Sequence, residues 1–136
     1  AGLDVQRAVG ERSHAVRITA AITGAAWRAA MEEGAVAIVA CTRSGMTARA
    51  ISRFRPPMPI LAITPNSATA RQLGSSWGVN DVVISSETDM SQLADIAVAR
   101  LKELGIAQPG DAVVVMAGSQ RGGAQTTDTV RMVIVD

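Results

Sequence analysis

An unbroken apolar run, Ala35-Val-Ala-Ile-Val-Ala40, drops directly into Cys41-Thr-Arg-Ser-Gly-Met-Thr47 and then into the helix-like Ala48-Arg-Ala-Ile-Ser-Arg-Phe54. A run that is apolar at every position reads as a strand buried on both faces. Such a strand, a short turn bearing hydroxyls and a glycine, and a helix start together bring backbone N–H groups and a helix dipole onto one point. The expectation is an anion, most simply a phosphate, at this turn.

Taken group by group, the turn binds and does not catalyse. Thr42, Ser44 and Thr47 offer three hydroxyls, Gly45 permits close backbone approach or positive φ, and Arg43 or Arg49 adds charge-assisted contacts. None of these groups attacks a substrate or abstracts a proton unaided. The spacing is neither that of a P-loop, Gly-x-x-x-x-Gly-Lys-Ser/Thr, nor Gly-x-Gly-x-x-Gly. The plainer alternative is an ordinary strand-to-helix turn with Thr47 as N-cap and Gly45 relieving backbone strain.

A chain of 136 residues is one domain of ordinary size, able to bury a core without disulfide or metal. Its net charge of +1 gives no basic field for nucleic acid. Trp27, Trp77 and Phe54 are its only aromatic residues, too scattered for a base-stacking platform. Lys102 is the one lysine among 13 basic residues, so the arginine excess reflects coding bias and each Arg has to be argued by position. Cys41 is the sole cysteine and reads as buried filler; the sole histidine, His14, lies far away in sequence, which disfavours Cys–His chemistry and a zinc site. No apolar run reaches membrane-spanning length and no signal-peptide pattern is present, so a cytoplasmic location is expected, with neither membrane nor nucleic acid as partner.

Residues 1–12 carry mixed charge without a clear period and look like a linker or tail, leaving 13–136 as the folded domain. From about Ser13, Val16, Ile18, Ala21, Ile22, Ala25, Ala26, Ala29 and Ala30 recur at helical spacing up to Gly34. After the Ala35–Phe54 unit, Arg55-Pro-Pro-Met-Pro59 breaks the helix, and Ile60–Ile63 reads as a short buried strand. Asn66 or Ser67 caps the next helix, Asp81–Ser85 is a third strand, and Asp89 or Ser91 opens an amphipathic helix with Leu93, Ile96, Ala97, Leu101 and Leu104 inward. Ala112–Met116 is the most apolar strand, and Gly118–Thr127 a polar, glycine-rich loop leading straight into a strand from Asp128 to Val135.

This alternation implies a parallel sheet with helices on both faces, and the short last connection implies an antiparallel final strand at the sheet edge. Ligands in such sheets sit beyond the carboxyl ends of the parallel strands. Both the Thr42–Thr47 turn and the Gly118–Thr127 loop leave from those ends, so a shared pocket is expected unless the second loop is simply mobile.

The run from Ala37 through Thr-Arg-Ser-Gly-Met-Thr47 and Arg53-Phe-Arg-Pro56 to Thr64-Pro65 resembles the C-terminal domain of pyruvate kinase. So do Ala70-Arg-Gln-Leu73, the Trp77-Gly-Val79 approach to the third strand, and the ending from Gly110 through Thr126-Thr-Asp-Thr-Val-Arg-Met132. The resemblance implies a three-layer α/β/α sandwich with a five-stranded mixed sheet, last strand antiparallel, serving as a regulatory domain. By position it implies that Thr42, Arg43, Ser44, Gly45 and Thr47 grip an effector phosphate, and that Arg121, Gly122 and Gly123 belong to a loop closing over the effector. The Trp-Arg-Pro-Gly pattern of fructose-bisphosphate-activated members is absent from the second loop; the effector that the resemblance implies is a sugar phosphate or a nucleotide monophosphate. No cofactor is expected in this domain, whereas a parent enzyme would use Mg and K in its barrel to move phosphate from phosphoenolpyruvate to ADP. The remaining partners implied are that catalytic barrel and further copies of the chain, joined through the terminal strand. The alternatives are a free-standing, non-catalytic phosphate-ligand or assembly module, and a small flavodoxin-like nucleotide binder, for which Asp81 and Asp111 are poorly placed.

Overall fold

The computed structural model describes residues 2–75, 78–121 and 124–136. Helix α1 (Gly2–Glu33) leads into β1 (Ala37–Cys41), α2 (Met46–Ser52), β2 (Ile60–Thr64), α3 (Ser67–Leu73), β3 (Val79–Ile84), α4 (Met90–Glu103), β4 (Ala112–Arg121) and β5 (Ala124–Ile134). The strands form one sheet in the order β3-β2-β1-β4-β5, parallel throughout except that β5 runs against β4. This is the expected three-layer α/β/α sandwich with its five-stranded mixed sheet.

Every residue of β1 and β2 is buried, because alternate side chains feed two cores. Ile38, Ala40, Ile60, Ala62, Val114 and Met116 pack with Ala26 and Ala30 of α1, Ala48 and Ile51 of α2, and Leu73 of α3. On the opposite face Val39, Cys41, Leu61, Ile63, Val113 and Val115 meet Leu93, Ala97 and Leu101 of α4. Fully burying a side chain such as Leu101 contributes about 1.5–3 kcal/mol, so a single helix suffices to close this second layer. Arg100 of α4 grips Asp81 of β3 with two hydrogen bonds, pinning the helix to the edge strand. Asn66 and Asp89 are the N-caps of α3 and α4, each accepting two backbone N–H groups. Gly105, at φ +74°, ends α4 in the left-handed region that an ordinary side chain disfavours.

The structure departs from the sequence expectations in several places, among them Leu104, expected inward but exposed just beyond the end of α4. Helix α1 runs back to Gly2 instead of starting near Ser13; Gln6, Arg7, Ala8, Glu11 and Arg12 are good helix formers and extend an existing helix without any apolar period. Its buried line is Ala15, Thr19, Thr23, Ala26 and Ala30, whereas Val16 is 61 % exposed. Threonine is tolerated on that line because its hydroxyls are bonded: Thr23 Oγ1 donates to the Thr19 carbonyl, and Thr19 Oγ1 accepts the Thr127 N–H at 3.1 Å. Most of the expected Gly118–Thr127 loop is strand, since β4 reaches Arg121 and β5 begins at Ala124. Ladder hydrogen bonds sustain a two-stranded ribbon even where side chains lack apolar alternation. A register shift opposite Ala117 and Gly118 leaves Asp128 as an extra residue on β5, a bulge that swings Thr127 into the α1 side of the sheet. The rings of Trp27 in α1 and Phe54 after α2 stack with centroids 5.6 Å apart.

Candidate anion-binding site

Strand order reverses between β1 and β4, because β1 leads outward to β2 and β3 while α4 carries the chain back across the sheet to β4. The carboxyl ends of β1 and β4 therefore flank the topological switch point where ligands of open α/β sheets sit. The β1–α2 turn leaves from that point, and its shape follows from local bonds. Thr42 Oγ1 accepts the Gly45 N–H at 2.9 Å, closing the turn, and Gly45 takes φ +89° and ψ −4° to enter α2. A Cβ at Gly45 would lie 3.1 Å from the Arg49 guanidinium and 3.3 Å from Leu73, so those side chains would have to shift slightly in addition to the strain of the positive φ. Thr69 Oγ1 donates to the Arg43 carbonyl at 2.9 Å, tying the turn to α3.

The five expected site residues of the turn divide into two groups. Arg43 and Ser44 are exposed, whereas Thr42, Gly45 and Thr47 are buried. Thr47 is not the N-cap of α2; that position belongs to Gly45, which has no side chain to cap with. The Thr47 hydroxyl lies instead 2.5 Å from Thr127 Oγ1, both residues being fully buried. Through Thr127, whose N–H reaches Thr19, this contact joins α2, β5 and α1. The two polar segments do converge, then, but through a buried hydroxyl pair. Arg49 donates to Gln72 Oε1 at 3.3 Å beside the turn. Arg121 is the last residue of β4, and Gly122 and Gly123 lie outside the described residues.

On the α4 side of the same strand ends is a cavity of about 340 Å³. Thr42 and Arg43 form one wall, Ala117 and Gly118 of β4 another, and Ser85, Ser86, Glu87 and Thr88 of the β3–α4 connection a third, over a floor of Cys41, Ile63 and Leu93. This is a size suited to a small polar ligand. The β3–α4 connection was not singled out from the sequence, although it too leaves the carboxyl end of a parallel strand and the switch-point rule covers it. Burial pushes the Cys41 thiol up to about 12, so it stays protonated and supplies no nucleophile. Asp81 is engaged by Arg100, and Asp111 accepts the Gln108 N–H; neither lines the cavity. Among the described residues no group of three or more His, Cys, Asp or Glu is placed to hold a metal ion, and no helix is long and apolar enough to cross a membrane. Among the described residues the cavity brings together the hydroxyls of Thr42, Ser85, Ser86 and Thr88 with the side chains of Arg43 and Glu87, while the Gly45 and Met46 N–H groups of the turn are already bonded to Thr42 Oγ1 and Ser44 Oγ.

The family model described as "Pyruvate kinase, alpha/beta domain" matches residues 20–133. A pyruvate kinase of Clostridium acetobutylicum is 36 % identical over 108 residues, covering 79 % of this chain and 23 % of that protein. One from Staphylococcus epidermidis is 42 % identical over 99 residues, 73 % of this chain and 17 % of the relative. One from Agrobacterium vitis is 41 % identical over 112 residues, 82 % of this chain and 24 % of the relative. The chain thus spans under a quarter of the length of these relatives.

Proposed function

This chain belongs to the pyruvate kinase family as its α/β domain, and we propose that it acts there as the regulatory unit, holding a phosphorylated effector in the cavity beside the β1–α2 turn. The observation that carries this reading is the placement of that cavity: it opens at the switch point of the sheet and has Thr42 and Arg43 in its wall. Arg43 lines the cavity and is exposed, Ser44 is exposed next to it with its Oγ accepting the Met46 N–H, Thr42 and Gly45 set the shape of the turn, and Thr47 ties it to β5. Arg121, Gly122 and Gly123 are assigned the closing role that the family resemblance implies. The ligand is a sugar phosphate or a nucleotide monophosphate. In the parent enzyme, phosphoryl transfer from phosphoenolpyruvate to ADP is the task of the catalytic barrel with its Mg and K, and the domain biases that enzyme's active state from the cytoplasm.

Copies of the chain are proposed to meet along β5. This edge strand exposes Met132 (36 %) and Ile134 (60 %), apolar groups on a row of open backbone donors and acceptors. Arg131 on the same strand is exposed and donates to Ser91 Oγ at 3.2 Å.

The binding reading is tested by thermal shift and calorimetry with fructose 6-phosphate, ribose 5-phosphate, AMP and inorganic phosphate. A ligand at 100 times its Kd adds about 2.7 kcal/mol to stability. Arg43→Ala with Ser44→Ala should weaken binding at least about tenfold, as expected for lost charge-assisted contacts. Both positions are exposed, so the cost to the fold should be confined to the Met46 N–H bond lost with Ser44 Oγ, about 1 kcal/mol or less. Equal affinity in wild type and double variant would show the turn to be only a turn.

A further inference from the structure

The cavity is electrically lopsided. Of its lining residues two carry charge, Arg43 at the β1–α2 turn and Glu87 in the β3–α4 connection. Glu87 Oε1 accepts the N–H groups of Thr88 and Asp89, each at 3.0 Å. Asp89 Oδ1 accepts those of Ser91 at 2.8 Å and Gln92 at 3.1 Å. The backbone donors at the start of α4 are therefore already occupied by carboxylates of the same chain, and the positive end of the helix dipole is neutralised from within. What that wall offers a ligand besides Glu87 is the neutral hydroxyls of Ser85, Ser86 and Thr88, which suit sugar hydroxyls as donors or acceptors. Arg131 of β5 donates to Ser91 at the start of α4 and lines no part of the cavity.

Resting on the reading that a phosphate sits at the β1–α2 turn, we propose that Glu87 is a specificity determinant, making the cavity accept ligands with one phosphate and a neutral, hydroxylated or cationic far end, and reject bisphosphates. A second phosphate would bring its charge towards a carboxylate that already holds the neighbouring Thr88 and Asp89 amides. Like-charge opposition of this kind is how binding sites refuse a near relative of the right ligand. Because Glu87 is exposed, the repulsion is screened by salt and strongest at low ionic strength.

Calorimetry on the whole chain, wild type and Glu87→Gln, with fructose 6-phosphate, ribose 5-phosphate, AMP and fructose 1,6-bisphosphate, tests this at about 20 mM and about 500 mM salt. Glutamine keeps the Oε1 acceptor for Thr88 and Asp89, so the melting temperature should be unchanged. Wild type should bind at least one monophosphate about tenfold more tightly than the bisphosphate, a difference of about 1.4 kcal/mol. Glu87→Gln should close most of that gap at low salt and make little difference at high salt. A wild-type preference for the bisphosphate, or a ratio untouched by Glu87→Gln, overturns the selectivity and leaves phosphate binding standing. Absence of binding by all of the probes to both proteins overturns the phosphate reading and the selectivity with it.

Discussion

Replacing Thr47 by valine keeps the shape of the side chain and removes one hydroxyl, and the structure makes that hydroxyl expensive to lose. Thr47 and Thr127 are both fully buried, with their Oγ1 atoms 2.5 Å apart. Thr47→Val strips Thr127 Oγ1 of this partner in a place water does not reach, a loss of about 1–3 kcal/mol. For a domain of this size each kcal/mol lowers Tm by about 4 °C, so the expected fall is about 4–12 °C. Thr127→Val should cost a similar amount, since its N–H bond to Thr19 is untouched by the change. With both replaced, the buried polar atoms are gone as a pair and the site becomes nearly neutral. The double variant should therefore be more stable than the sum of the singles by at least about 1 kcal/mol. Urea denaturation followed by circular dichroism measures all four corners of this cycle. Single variants within about 0.5 kcal/mol of wild type, or effects that simply add, would refute the claim that this hydroxyl pair fastens α2 to β5.

Gly45→Ala should cost about 1–2 kcal/mol, the penalty of a β-carbon in the left-handed region, raised by the Arg49 and Leu73 atoms within 3.3 Å; chemical denaturation at the wild-type level would show that the turn relaxes freely. Cys41, with its thiol pushed up to about 12 by burial, should resist a disulfide reagent at pH 8 in the native protein and react at once in denaturant; fast labelling of the folded protein would mean the floor of the cavity opens. The hydrogen bond from Arg100 holds the Asp81 carboxyl below its ordinary value of 3.8, so the folded pKa lies under the unfolded one. The pair stabilises the fold above that value and the contribution is lost as the pH falls through the folded pKa. The stability gap between wild type and Asp81→Asn should thus be widest near neutrality and shrink in acid below about pH 4; a gap constant over that range in pH-dependent urea melts would count against the pair.

Those elements whose sequence carries one period and one kind of cap were legible in advance. β1, β2 and β4 are apolar runs between turn residues, and Asn66, Asp89 and Gly105 mark helix ends by chemistry that acts within a few residues. What escaped depends on partners distant in the chain. Thr19 has no place on an apolar face until Thr127, more than 100 positions away, supplies an N–H, and Thr23 is satisfied by the Thr19 carbonyl, so the buried line of α1 is rotated from the apolar one. Thr47 looks like a cap by position and is a buried tie by packing. The ribbon at the end of β4 is built by backbone bonds between residues such as Gln120 and Gln125, whose side chains announce no strand. In the site, the turn was visible because its hydroxyls and glycine are contiguous. The wall containing Glu87 was not, since strand order alone brings it opposite Arg43.

The Trp27–Phe54 stack joins α1 to the chain just past α2, the short helix that starts at the anion-binding turn. With tyrosine absent, tryptophan dominates the ultraviolet emission of the whole chain, and Trp77→Phe leaves Trp27 as its single strong fluorophore. Any shift of α2 against α1 alters how Phe54 shields that indole from water, and so alters the colour and quantum yield of its emission. The domain carries, in this partly exposed ring pair, its own optical gauge of what happens at the turn.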